Sequence, residues 1–77
     1  MTEQEWRERF AENLQAYMDA YGYSQRGLAD EIGISESAIS RYLSAQQVPK
    51  GTILLNMAYT LDCTVDDLID FYERITL

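Results

Sequence analysis

Between Ser24 and Leu43 the chain reads SQRGLADEIGISESAISRYL, and the glycine in its middle decides most of what this stretch can become. Apolar residues recur at helical spacing on both sides of Gly33. Leu28, Ala29 and Ile32 come before it, and Ala38, Ile39, Tyr42 and Leu43 come after it. Each run is short and follows a serine, Ser24 or Ser35, suited to capping a helix N-terminus. Gly33 tolerates the left-handed backbone that stops the first helix. The link is too short for antiparallel packing, so the two helices must cross steeply. A close crossing needs a small residue at the contact, which Ala29 supplies. Ile34 and Ile39 then bury the turn against Leu28 and Ile32.

The remaining segments extend this pattern. Thr2 and Glu5 make a capping box for a first helix. Trp6, Phe10, Leu14, Tyr17, Met18 and Tyr21 form its apolar stripe, and Gly22 is its expected stop. The polar stretch Ala45 to Lys50 includes Pro49 and reads as a loop. A fourth helix runs from about Gly51 to Leu61, with Leu54, Leu55, Met57, Ala58 and Leu61 apolar. Asp62 then has to take the turn, where Gly or Asn is easier. Thr64 and Asp67 form a second capping box, stapled by Cys63 and Leu68. The fifth helix carries Val65, Leu68, Ile69 and Tyr72. The expected fold is all-α, a compact five-helix bundle in a single domain over residues 1–77, with a helix-turn-helix at about 24–44.

Composition narrows the function. A chain of 77 residues supports one small core. One cysteine and no histidine leave neither an internal disulfide nor a Cys/His zinc site, and remove the commonest general base. The carboxylates are scattered at surface-type positions rather than paired in an apolar setting. No enzyme, cofactor, metal or small-molecule ligand is expected. No run has the length of a membrane span and no signal peptide is visible, so a cytoplasmic protein is expected. The net charge of −7 argues against nucleic acid at first sight. Its distribution changes that reading. Glu3, Glu5, Glu8, Glu12 and Asp19 lie in the first segment, and Asp62, Asp66, Asp67, Asp70 and Glu73 in the last. The middle sets Arg26, Arg41 and Lys50 against Asp30, Glu31 and Glu36 and is near neutral.

Three segments, YSQRGLADEIGISESAISRYL, then VP, then LLNMAYTLDCTVDDLI, occur in order and spacing that resemble the phage repressor/Cro type of helix-turn-helix domain, also called the xenobiotic-response-element family. The resemblance spans roughly residues 10 to 70. It implies a five-helix bundle whose third helix enters the DNA major groove. On that basis Gln25 contacts phosphate beside the N-terminus of the second helix. Glu36 and Ser37 match the first base-reading positions of the third helix, and Ser40 a later one. Lys50 stands where the family touches phosphate. Gln46 and Gln47, in the loop, fit phosphate or groove contacts. Arg26, Ser35, Arg41 and Ser44 complete the expected DNA-binding set, Arg41 reaching either guanine or phosphate.

Several positions depart from the family. Glu36 stands where Gln, Arg or Ser is frequent, Gly27 replaces a helix-favouring residue, and Lys50 replaces the usual capping serine of the fourth helix. Blander readings stand beside the sharp ones. The serine-rich face is also what an ordinary solvated helix looks like, and Arg26 has the spacing to pair with Asp30. Trp6 lies near the helix end, where an exposed aromatic can serve a partner. Cys63 reads as a small buried hydrophobe. Tyr42 reads as a core-edge residue able to reach the DNA backbone.

The resulting expectation is a sequence-specific transcriptional regulator of double-stranded DNA. It would act as a homodimer on a near-palindromic operator, with dimer contacts from the fifth helix and the tail, LIDFYERITL, where Phe71, Ile75 and Leu77 exceed what one helical stripe needs. The alternative is a protein-interaction module of the same fold, antirepressor-like or DNA-mimicking, motivated by the charge and by Glu36.

Overall fold

A computed structural model describes residues 2–69 of the chain. Five helices follow one another: α1 (Glu3–Tyr21), α2 (Gln25–Ile32), α3 (Glu36–Leu43), α4 (Gly51–Thr60) and α5 (Val65–Ile69). The expected continuation of α5 through Tyr72, and the tail residues Phe71, Ile75 and Leu77, lie outside the described residues.

Each of the first three helices begins where its side chains cap it. Thr2 and Glu5 exchange bonds of 3.2 and 2.8 Å across the start of α1. Ser24 Oγ accepts the Gly27 N–H at 2.9 Å, and Ser35 Oγ accepts that of Ala38 at 3.1 Å. Thr64 and Asp67 repeat the reciprocal box before α5. Helix α4 starts at Lys50 with no side-chain cap. The Thr2 bonds hold the Glu5 carboxyl below its ordinary pKa. This support for α1 is therefore present at neutral pH and is lost as the pH falls through that lowered value.

The ends of α1 to α4 share one device. A left-handed residue follows the helix, and the next N–H reaches back to a carbonyl of the last turn. Those residues are Gly22 (φ 72°), Gly33 (φ 87°), Ala45 (φ 62°) and Asp62 (φ 52°). The returning bonds are Tyr23 to Met18, Ile34 to Ala29, Gln46 to Arg41 and Cys63 to Ala58, at 2.9–3.0 Å. The turn at Asp62 forms as its position required. Ala45 is the unexpected member, since a residue with a Cβ is strained there.

Helix α1 packs on α3 and α5, α2 on α3 and α4, and α4 on α5. One core joins them, built on Phe10, Leu14, Met18, Leu28, Ile39, Met57, Leu61 and Leu68. The Phe10 ring meets Tyr42 edge-on, with centroids 6.4 Å apart, and fastens α3 to α1. Asn13 Nδ2 donates to the Leu68 carbonyl at 2.8 Å and ties α1 to α5.

Some positions differ from the amphipathic pattern. Leu55 is 60% exposed and Tyr21 51%, although both belong to apolar runs. The runs are wider than the face the bundle can cover. Tyr42 is buried at 4% exposure, which places its ring in the core. Pro49 is also buried, so the loop before α4 is anchored rather than wholly solvated.

Candidate nucleic-acid interface

The interface is built from what α2 and α3 leave outside the core. Helix α3 turns Ile39 and Tyr42 inward, with Ala38 and Leu43 half-buried. Its period then leaves Glu36, Ser37, Ser40, Arg41 and Ser44 on the opposite face, and all of these are exposed. This face is narrow in side-chain bulk. Serines keep the helix surface low, so another surface can approach it closely. Exposed positions of α3 carry one carboxylate, Glu36, and one guanidinium, Arg41, so the face is electrically balanced.

Helix α2 supplies the second element. Leu28 and Ala29 are fully buried beneath it, while Gln25 and Arg26 project at its start. Ser24 occupies the Gly27 N–H alone, which leaves the Gln25 and Arg26 N–H groups pointing outward from the positive end of the helix. Among the described residues, Arg26 does not pair with Asp30, and neither Arg41 nor Lys50 makes an ion pair. On α1, Arg7 pairs with Glu3.

The remaining expected residues divide by how their polar atoms are used. Ser35 is exposed, and its Oγ caps α3. Ser44 Oγ donates to the Ser40 carbonyl at 2.9 Å and accepts from Gln46 Nε2 at 2.9 Å. Ser44 and Gln46 therefore close the end of α3 with their own side chains. The side chains of Ser37, Ser40, Gln47 and Lys50 are exposed and make no hydrogen bond within the described residues. The uncapped start of α4 lies beside Lys50, so the outward N–H groups of Gly51 and Thr52 join this cation. Sequence reasoning named Lys50 but not those backbone donors. Their signal was the missing Ser, Thr or Asp at position 50.

The acid of the chain has a defined setting. Helix α1 presents its apolar stripe to α3 and α5, and Glu3, Glu5, Glu8, Glu12 and Asp19 are exposed on its other faces. Glu12 and Asp19 line a shallow groove with Leu43, at the C-terminal end of α3. Cys63 is half-buried. Desolvation, then the charges of Asp67 and Asp62, push its thiol up to about 11, so it stays protonated and unreactive at neutral pH.

Comparison with known proteins bears on this arrangement. A family model described as helix-turn-helix (HTH_3) matches residues 14–68. The fold is similar to the crystal structure of an HTH_3 family transcriptional regulator from Vibrio cholerae, with a TM-score of 0.82 and 16% identity. That match covers 96% of this chain and 42% of the other, so the chain spans about two-fifths of the Vibrio protein's length. It is also similar to the crystal structure of a hypothetical transcription factor, NHTF, from Neisseria, with a TM-score of 0.80 and 21% identity. Here the coverage is 99% of this chain and 90% of the other. No curated protein matches.

Proposed function

The chain belongs to this helix-turn-helix family, a family of DNA-binding transcriptional regulators, and from that premise we propose that it reads operator DNA with α3 in the major groove. The observation that carries the reading is the exposed face Glu36, Ser37, Ser40 and Arg41, backed by a core that fixes which way the helix turns. Serine hydroxyls bond either base edges or phosphates, and Arg41 suits guanine or phosphate. Gln25, Arg26 and the free N–H groups at the start of α2 grip one phosphate. Lys50, with the uncapped start of α4 and Gln47 in the loop, grips another. Ser35, Ser44 and Gln46 hold the ends of α3 and border that contact.

Two copies on successive major-groove faces, roughly 34 Å apart, then recognise a near-palindromic site. Occupancy of that site is the regulatory event, as a homodimer blocks or recruits polymerase. The acidic total sets limits on affinity rather than forbidding contact. Helices α2 and α3 carry Arg26 and Arg41 against Asp30, Glu31 and Glu36, and the larger acid load sits on α1 and beyond Asp62.

Two substitutions separate reading from gripping. Ser40→Glu puts a second carboxylate on the α3 face and is expected to abolish binding, with the helical circular dichroism unchanged. Gln25→Ala is expected to weaken binding to all duplexes alike, as loss of a phosphate contact does. Unchanged binding by Ser40→Glu removes α3 from the groove. The acidic protein-interaction module then becomes the better account.

A further inference from the structure

Where α2 and α4 end, a shallow groove is lined by residues that the DNA reading does not use. Ala58 is buried in it and Cys63 half-buried. Tyr23 and Tyr59 add two aromatic rings, and Glu31 and Asp62 add two exposed carboxylates. No lysine or arginine lines it. Neither carboxylate makes a hydrogen bond or an ion pair among the described residues. Tyr59 is 87% exposed, so its ring is almost wholly available. The helix ends reinforce the charge. Glu31 stands in the last turn of α2, and Thr60, also on the groove, is the last residue of α4. Neither helix carries a basic residue in its last turn to offset the partial negative charge of its C-terminus. The Cys63 thiol, pushed up by desolvation and then by the charges of Asp67 and Asp62, registers the same negative surroundings.

We infer that this groove takes an arginine side chain from a basic segment of a different protein. A guanidinium is planar, so it lies against a tyrosine face while its fork of N–H donors reaches carboxylates. The groove offers both kinds of group together, and the two helix C-termini favour a cation beside them. The same carboxylates repel phosphate, so nucleic acid is the wrong occupant. Charge also selects against a second copy. The chain carries a net charge of −7, which attracts a basic partner and repels its own kind. None of the residues proposed to meet DNA lines the groove, so the inference stands apart from the DNA reading.

Titration of the full chain with a blocked diarginine peptide, followed by backbone amide NMR, tests this. The titration is run at physiological ionic strength, where diffuse attraction to the acidic surface is screened. Saturable shifts are expected, concentrated at Glu31, Tyr59, Asp62 and Cys63. Tyr59→Ser, at an exposed site, is expected to weaken binding several-fold. The pair Glu31→Gln and Asp62→Asn is expected to weaken it at least tenfold, and asparagine tolerates the left-handed backbone at position 62. Glu12→Gln, on α1, should leave it unchanged. Spermidine carries charge without a planar guanidinium and is expected to bind more weakly than the peptide. No saturable shift with millimolar peptide overturns the inference. So do shifts spread over the carboxylates of α1, equal binding by all the variants, or spermidine binding as tightly as the peptide. Groove shifts that grow with protein concentration in the absence of peptide would place this chain's own arginines there, and would overturn a separate partner.

Discussion

At the scale of single residues, the left-handed positions after the helices make a matched test. Gly33 sits at φ 87° with nothing within 4 Å of the place a Cβ would take. Gly33→Ala therefore meets no clash, only the backbone cost, and is expected to destabilise the chain by about 1–2 kcal/mol. Ala45, at φ 62°, bears that cost already. Ala45→Gly relieves it at the expense of a more flexible unfolded chain, for a net gain of about 0.5–1 kcal/mol. Urea denaturation of both variants reads the two signs, and equal signs would contradict the assignment. Glu36 is the residue whose chemistry is most specific. In the groove a carboxylate accepts from the cytosine amino group and repels phosphate. Glu36→Gln is expected to bind duplex more tightly and to shift preference at one base pair from cytosine to adenine. Selections with the two proteins that return the same consensus would show that Glu36 faces no base. Cys63 gives a pH test. Its pKa is raised by burial, so it is expected to react with thiol reagents at pH 8 at least tenfold more slowly than the unfolded chain. Stability should also fall as the pH rises from about 9 towards 11, because the folded state resists losing this proton. Fast labelling of the folded protein at pH 8 would contradict the assignment of Cys63 to a shielded site.

At the scale of helices, what was legible in the sequence was what local chemistry decides. The caps at Thr2, Ser24, Ser35 and Thr64 and the stops at Gly22 and Gly33 were readable because those side chains act on neighbours within a few residues. The outward face of α3 was readable because Ile39 and Tyr42 specify its inward face. Three things were not. Ala45 in left-handed backbone gave no signal, since alanine has no preference for it, and the turn it makes lets the Gln46 N–H return to the Arg41 carbonyl. The exposure of Leu55 depends on how much of α4 its neighbours α2 and α5 can cover, which no periodicity reports. The bond from Asn13 to the Leu68 carbonyl joins groups far apart in sequence and appears only once α1 and α5 have met. The core of α3 gives an element-level check. Ile39→Ala removes a fully buried side chain between α1, α2 and α3 and is expected to cost about 2–5 kcal/mol by thermal or chemical denaturation. A cost under 1 kcal/mol would mean that α3 is not anchored through that residue, and its outward face would lose its definition.

At the scale of the whole molecule, the acidic net charge is compatible with the proposed DNA binding because the charge is segregated. The elements proposed to face DNA, α2 and α3 with Lys50, are near neutral, and the carboxylates are carried mainly by α1 and the C-terminal segment. Long-range repulsion between this protein and a phosphate backbone then weakens with added salt, while the proposed short-range contacts of Arg26, Arg41 and Lys50 with phosphate release counterions on binding and also weaken with salt. The second effect belongs to close contacts. If those contacts are made, it dominates, and affinity falls as salt rises. The most direct measurement is selection from random duplex DNA at low salt, followed by a salt titration of the selected sequence. The expected result is a near-palindromic consensus whose half-sites lie about one helical turn apart and whose affinity falls steeply with salt. No enrichment by a protein verified as folded, or binding that strengthens as salt rises, would contradict the claim that α3 reads DNA.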